Sequence, residues 1–370
     1  MDKYKYLYID DALDEAKSTA QGIDDDLIVV DAALNKGSWE NQLSDLKTKY
    51  SDIDGLILDL RLSDNEVEGG RADFMGSSLG QEIRSRQRDG EIPYYPIVMF
   101  SGNEKIKEYY GDTDSSVFDI IVSKGDGGIE FFGTLSRRLW ALADAYKTIK
   151  KNNKNVDSLL DIDNFEDLDD RFLSALETAY AEKPEKFIHF LIKQMISHQG
   201  ILIDEDVLAS RLGIDIEHSQ DWYKVKQFFK SCRYDSILSY GWDRWWAYKV
   251  EKMWETINPE QPFLQMVGAK ERVDKIRAFT DCYNISPAQP LQKAESTRFW
   301  TICQAYRKPL DPVDGLMIKG ESTIAPWLEP LYVSIEGALT KKNHDRWKDI
   351  ENFEKERLES YKDKPNERPI

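Results

Sequence analysis

Gly55-Leu56-Ile57-Leu58-Asp59-Leu60-Arg61-Leu62 contains an apolar run that ends abruptly in a carboxylate. Such a run, without polar alternation, suits a strand buried on both faces, as in parallel sheets. Ligands of open α/β sheets bind beyond the C-terminal strand edge, where Asp59 would stand. One aspartate decides little. The case depends on what ends the neighbouring strands.

Upstream, Lys5–Ile9 predicts a first strand stopping at Asp10-Asp11. Leu13, Ala16, Lys17 and Ala20 mark a helix, Leu27–Asp31 a second strand, and Trp39, Leu43, Leu46 and Tyr50 a second helix. Downstream, the polar stretch Ser63–Phe74 with Gly69-Gly70 reads as a loop. Gly76–Arg88 reads as a helix with Leu79, Ile83 and Gln87 inward. Pro96–Phe100 predicts a fourth strand ending at Ser101-Gly102, and a short helix follows around Ile106–Tyr110. Phe118–Val122 predicts a fifth strand ending at Ser123-Lys124. Phe131–Tyr146 closes the series as a helix with Phe132, Leu135, Leu139, Leu142 and Tyr146 on its apolar side. Five strands alternating with five helices predict an α/β fold with a doubly wound, five-stranded parallel sheet.

Right-handed crossovers bring Asp10, Asp11, Asp59, Ser101 and Lys124 to one sheet edge. Clustered carboxylates repel one another, and a divalent cation with oxygen ligands, Mg2+ first, relieves that repulsion. A hydroxyl and an ammonium opposite would suit a phosphoryl group, so the set describes phosphoryl transfer to an aspartate. Taken singly, Asp10-Asp11 reads as a helix N-cap pair, Asp59 as a turn residue and Lys124 as a solvated lysine. Their order at four strand ends is what distinguishes them.

Residues 4–148 resemble the receiver domain of two-component response regulators. The resemblance is carried by Ile9-Asp10-Asp11, Leu58-Asp59-Leu60-Arg61-Leu62, Gly76 with Leu79 and Ile83-Arg84, Met99-Phe100-Ser101-Gly102, and Val122-Ser123-Lys124. It implies a flavodoxin-like fold with Asp59 as phosphoacceptor. It implies Mg2+ held by Asp11 directly, by Asp10 through water, by Asp59 and by the Arg61 backbone carbonyl. Ser101 would bond one phosphoryl oxygen and Lys124 would neutralise another. A histidine kinase or phosphotransfer protein would be the donor, and copies would pair as a homodimer. Any catalysis would be limited to self-catalysed transfer to Asp59 and its hydrolysis, so no other enzyme activity is expected. The chain departs from the family at Ser63 and Gly125, where proline is usual, and at Ile121, where an aromatic ring usually accompanies the switch. Arg61 and Asn103 occupy positions that tune phosphoryl lifetime in the family. Ser63–Phe74 acts as an insertion beside the site.

The formal net charge is −17 over 370 residues, and neither half is basic: residues 1–150 carry 18 Lys+Arg against 29 Asp+Glu, and residues 151–370 carry 32 against 38. That is not the footprint of a protein that binds phosphate backbones, so nucleic acid is not an expected partner. No apolar run reaches the ~20 residues of a membrane span, and the start of the chain lacks a secretory h-region. Cys232, Cys282 and Cys303 form no disulfide framework. A cytoplasmic protein with no membrane contact is the expectation.

The expected organisation is a receiver-like domain over 1–148, a polar linker over 149–156 and a mostly α-helical output or interaction domain over 157–370, acting on an effector through protein contacts. In that second half, Asp204 reads as the cap of a helix, Glu205–Leu212, stopped by Gly213. Asp206–Ile214 resembles the first half of a helix-turn-helix. The candidate recognition helix, Glu217–Trp222, brings acids towards phosphates, so a helical hairpin is preferred there. Trp242, Trp245, Trp246, Val250, Met253 and Trp254 follow helical spacing and read as a core or partner-facing stripe rather than a base-stacking platform. Ile324–Leu328 with Leu331–Val333 could be extended, and the tail from Lys341, with Trp347, Ile350, Glu354 and Leu358, reads as an amphipathic helix. Two alternatives stay open: a DNA-binding transcription regulator, and a pseudo-receiver scaffold that keeps the fold without the phosphorylation.

Overall fold

The computed structural model describes residues 3–63, 66–67, 70–102, 117–124, 129–151, 156–160, 162, 165–319, 324–340 and 350–362. Strands β1 (Tyr4–Asp10), β2 (Ile28–Leu34), β3 (Gly55–Leu58), β4 (Ile97–Ser101) and β5 (Ile120–Ser123) form one sheet in the order β2-β1-β3-β4-β5. Every neighbouring pair is parallel. β3 and β4 are buried along their whole length, which explains their uninterrupted apolar sequences. Helices α1 (Leu13–Ile23), α2 (Trp39–Lys47), α3 (Gly76–Arg88) and α4 (Ile129–Lys151) connect and follow the strands. This is a doubly wound, flavodoxin-like architecture. The helix expected around Ile106–Tyr110, with Asn103 and Gly125, lies outside the described residues.

Under one face of the sheet, Leu7, Ile9, Leu56, Leu58, Ile97 and Met99 pack with Leu79 and Ile83 of α3, and Ile121 joins them half-buried. Below this core lies a buried polar network. Arg84 donates to Asp119 Oδ2 at 2.7 Å, to the Val117 carbonyl at 3.0 Å and to Gln87 at 2.7 Å. Asp119 also accepts from the Ile97 backbone N–H and from the Tyr146 hydroxyl, both at 2.8 Å.

Contacts divide the chain into two compact units, and the first takes in more than the expected 1–148. It comprises Met1–Asp163 with Ala175–Ile192 and Asp235–Trp242. α4 runs unbroken to Lys151, so residues 149–151 of the expected linker are helix, and 152–155 lie outside the described residues. The helix Pro184–Leu191 buries Phe187, Ile188 and Leu191 within this unit and brings His189 Nε2 to 3.3 Å from Asp119 Oδ1. The stretch Ser63–Phe74, expected as a loop, contains a short antiparallel hairpin, Glu66–Val67 with Gly70–Arg71.

The second unit comprises Asn164–Ser174, Lys193–Tyr234 and Asp243–Ile370. Its helices include Glu205–Leu212, Trp222–Phe228, Ala247–Ile257 and Ala269–Phe279. It also holds four two-stranded antiparallel ladders where the sequence pattern is almost wholly helical. Trp245–Trp246 pairs with Leu202–Ile203, so the tryptophan stripe becomes helical only from Ala247. Ile214–Asp215 pairs with Ser286–Pro287, and the next helix begins at Trp222. Neither a recognition helix over 217–222 nor a helical hairpin turn is formed there. Ser219, which breaks the apolar pattern, donates its hydroxyl to the Asp215 carbonyl at 2.5 Å. Of the expected extended patch, Tyr332–Ser334 is a strand, and the tail helix spans Asn352–Lys362. Arg272, fully buried, donates to the carbonyls of Val267, Arg211 and Phe299 at 2.7 Å each, and burial lowers its pKa to about 10. Among the described residues no helix is long and apolar enough to cross a membrane.

Candidate phosphoryl-acceptor site

Register explains why the acidic residues meet. Ile9 pairs with Leu58 and Leu58 with Met99, so Asp10 and Asp59 leave adjacent strands side by side. Ser101 pairs with Ser123, which sets Lys124 one residue beyond the same edge. The Lys124 ammonium lies 2.9 Å from Asp10 Oδ2 and 2.7 Å from Asp59 Oδ1. The Arg61 backbone N–H donates to Asp59 Oδ2 at 2.7 Å. Asp11 is buried next to Asp10, and Asp59 is buried as well. Gly76 begins α3 against this strand end: a Cβ there would lie 1.9 Å from the Asp59 carbonyl oxygen, so the glycine lets helix and acceptor strand approach.

Asp10 also serves the entry of α1. Its Oδ1 accepts from the backbone N–H groups of Asp11 at 2.8 Å and Ala12 at 3.1 Å; the N-cap itself is Ala12, with no side-chain cap, so the reading of Asp10-Asp11 as an N-cap pair does not hold. Its Oδ2 accepts from the Tyr8 hydroxyl at 2.5 Å. Burial opposes the Asp10 charge, but Tyr8, Lys124 and Ala12 outweigh it and hold this carboxyl below the usual range. Asp59 goes the other way. Burial raises it, with only partial relief from Lys124 and Arg61. Burial also opposes the Lys124 charge, yet Asp59 and Asp10 raise its pKa overall. The Lys124 ammonium lies 5.7 Å from the Tyr8 ring centroid and 5.9 Å from that of Phe100.

Ser101 Oγ is buried at the same strand edge and has no hydrogen-bond partner among the described residues. A buried hydroxyl left unpaired is uncommon and marks a place where a polar ligand would be satisfied. The carboxylates are hard oxygen donors, already gathered around one cation, and their chemistry suits Mg2+. They are not drawn into a tight cage. Among the described residues the group whose ligand atoms all lie within 4.8 Å of one another is Asp215, Glu217 and His218, an exposed set in the second unit. There Lys308 pairs with Glu217 at 2.6 Å and His218 with Asp215 at 2.9 Å.

The structure thus brings Asp10, Asp59 and Lys124 into direct contact, with Asp11, Arg61 and Ser101 on the same edge. Tyr8 is the neighbour that residue-by-residue scanning misses. The signal is present: two residues before Asp10 on a strand means the same face, within a hydroxyl's reach of the carboxylate.

No family model and no curated protein matches the chain. Solved structures do. NtrX from Brucella abortus in complex with ADP matches at 15% identity and TM-score 0.31, over 42% of this chain and 31% of that one. The chain therefore spans about a third of that NtrX chain. The chemotaxis response regulator CheY4 of Vibrio cholerae matches at 16% identity and TM-score 0.26, over 37% of this chain and 99% of that one. A response regulator receiver domain protein from Clostridium thermocellum matches at 16% identity and TM-score 0.28, over 40% and 97%.

Proposed function

We propose that the chain is a signalling protein of the two-component type in which Asp59 accepts a phosphoryl group. The observation that carries this is the Lys124 ammonium bridging Asp10 and Asp59 on the edge that holds the unpartnered Ser101 hydroxyl. An Asp59 oxygen attacks phosphorus, the new O–P bond makes an acyl phosphate, and the donor's bond to phosphorus breaks with its electron pair kept by the donor. Lys124 neutralises a phosphoryl oxygen and Ser101 donates its hydroxyl to another. Asp11, Asp10, Asp59 and the Arg61 carbonyl would hold Mg2+, which supplies charge neutralisation at the reacting oxygens. The donor is a histidine kinase or phosphotransfer protein. Output passes to an effector protein, with pairing of two copies as one route, and nucleic acid is not part of the proposal. Ile121 in place of the usual aromatic ring favours a second reading, a scaffold with this fold that is never phosphorylated.

Beryllofluoride, a phosphoryl mimic, separates the two. With Mg2+ it is expected to raise the melting temperature by several degrees, as ~2–3 kcal/mol of linkage at a hundredfold excess over Kd requires. Asp59→Asn is expected to abolish the shift. A melting temperature unmoved by the pair of ligands favours the scaffold.

A further inference from the structure

On the reading of Asp10, Asp11 and Asp59 as metal-holding residues, we propose that the Tyr8 hydroxyl sets the divalent-ion affinity of the site by occupying a lone pair of Asp10. A carboxylate offers about four acceptor positions. Asp10 has a donor at each: Tyr8 and Lys124 on Oδ2, and the Asp11 and Ala12 backbone N–H groups on Oδ1. Asp59, buried nearby, carries two donors among the described residues, Lys124 and the Arg61 N–H. The two carboxylates are therefore not equivalent, and while Lys124 is in place Asp10 has no lone pair to spare for an ion or its water.

The donors differ in what they can give up. The two backbone N–H groups are fixed at the entry of α1. Lys124 is the side chain that a phosphoryl group would draw away. Tyr8 cannot leave: it is fully buried on β1, and its ring packs edge-on against Phe100 at 6.0 Å and 86°. With the hydroxyl in place, Asp10 can offer an ion only the position that Lys124 vacates. Removing the hydroxyl opens a second position and leaves a buried negative charge less satisfied, which a cation would relieve.

The test is a titration of the full chain with MgCl2, followed by calorimetry, on wild type, Tyr8→Phe and Tyr8→Met. Both variants fill β1 with apolar volume but lack the hydroxyl, so a folding defect in one leaves the other. The expected result is tighter Mg2+ binding, about tenfold, for the loss of a hydrogen bond to a charged group. That gain should vanish when Asp10→Asn is added. Structural damage would weaken binding, so the sign separates the two roles. Unchanged or weaker binding in the variants, with wild type binding normally, overturns the role of Tyr8 alone. If no protein in the series binds Mg2+, the proposed function fails and the role of Tyr8 falls with it.

Discussion

Asp119, at the opposite end of β5 from Lys124, shows how a single residue can hold the first unit together. Burial opposes its charge, yet Arg84 beside it and His189 outweigh that and bring its pKa down to about 2. The folded value lies below that of an ordinary carboxylate. The ion network therefore stabilises the fold at pH above about 4, and its contribution of ~2–3 kcal/mol is lost as pH falls through 2. Asp119→Asn is expected to destabilise the protein by ~3–5 kcal/mol at neutral pH, because Arg84 is left buried without its counter-charge. Urea denaturation should show that deficit narrowing as pH drops from 5 towards 2. A deficit independent of pH would contradict the assignment. Nothing in the local sequence marks Asp119, which sits inside an apolar run. Its importance depends on partners 35 and 27 residues away, Arg84 and Tyr146.

At the scale of elements, what was legible was local. The helix Glu205–Leu212 is bounded as its sequence suggests. Asp204 accepts from the Val207 N–H at 2.9 Å at the start, and Gly213 takes a left-handed φ of +71° at the end. Asp204→Ala is expected to cost about 1 kcal/mol by denaturation, the usual worth of such a cap. Its exposed ion pair with Arg307 adds little because solvent screens it. The ends of the first, third, fourth and fifth strands are equally legible, because a buried strand writes its apolar run and its polar stop into a few consecutive residues; the second, read as ending at Asp31, continues to Leu34. The residues after Gly213 were not. Ile214–Asp215 is extended because of Ser286–Pro287, some 70 residues later, and two-residue ladders leave no periodicity to read. Trp245–Trp246 failed for the same reason: its partner, Leu202–Ile203, decides its conformation, and the spacing of its rings imitates a helix.

Across the whole molecule, the parallel sheet and the residues that end its strands can be read in order from the chain, whereas the division by contacts is not written in any one stretch of it. Helix Pro184–Leu191 and the segment Asp235–Trp242 join the first unit through tertiary packing, including the approach of His189 to Asp119. Sequence composition gives no sign of such long-range membership. The central claim concerns one bond, phosphorus to an oxygen of Asp59. Intact-mass measurement of the full chain after incubation with acetyl phosphate and Mg2+ tests it most directly. The account predicts a gain equal to one phosphoryl group, lost on raising the pH as an acyl phosphate hydrolyses and absent in Asp59→Asn. A mass unchanged under those conditions, or an equal gain in Asp59→Asn, would contradict it.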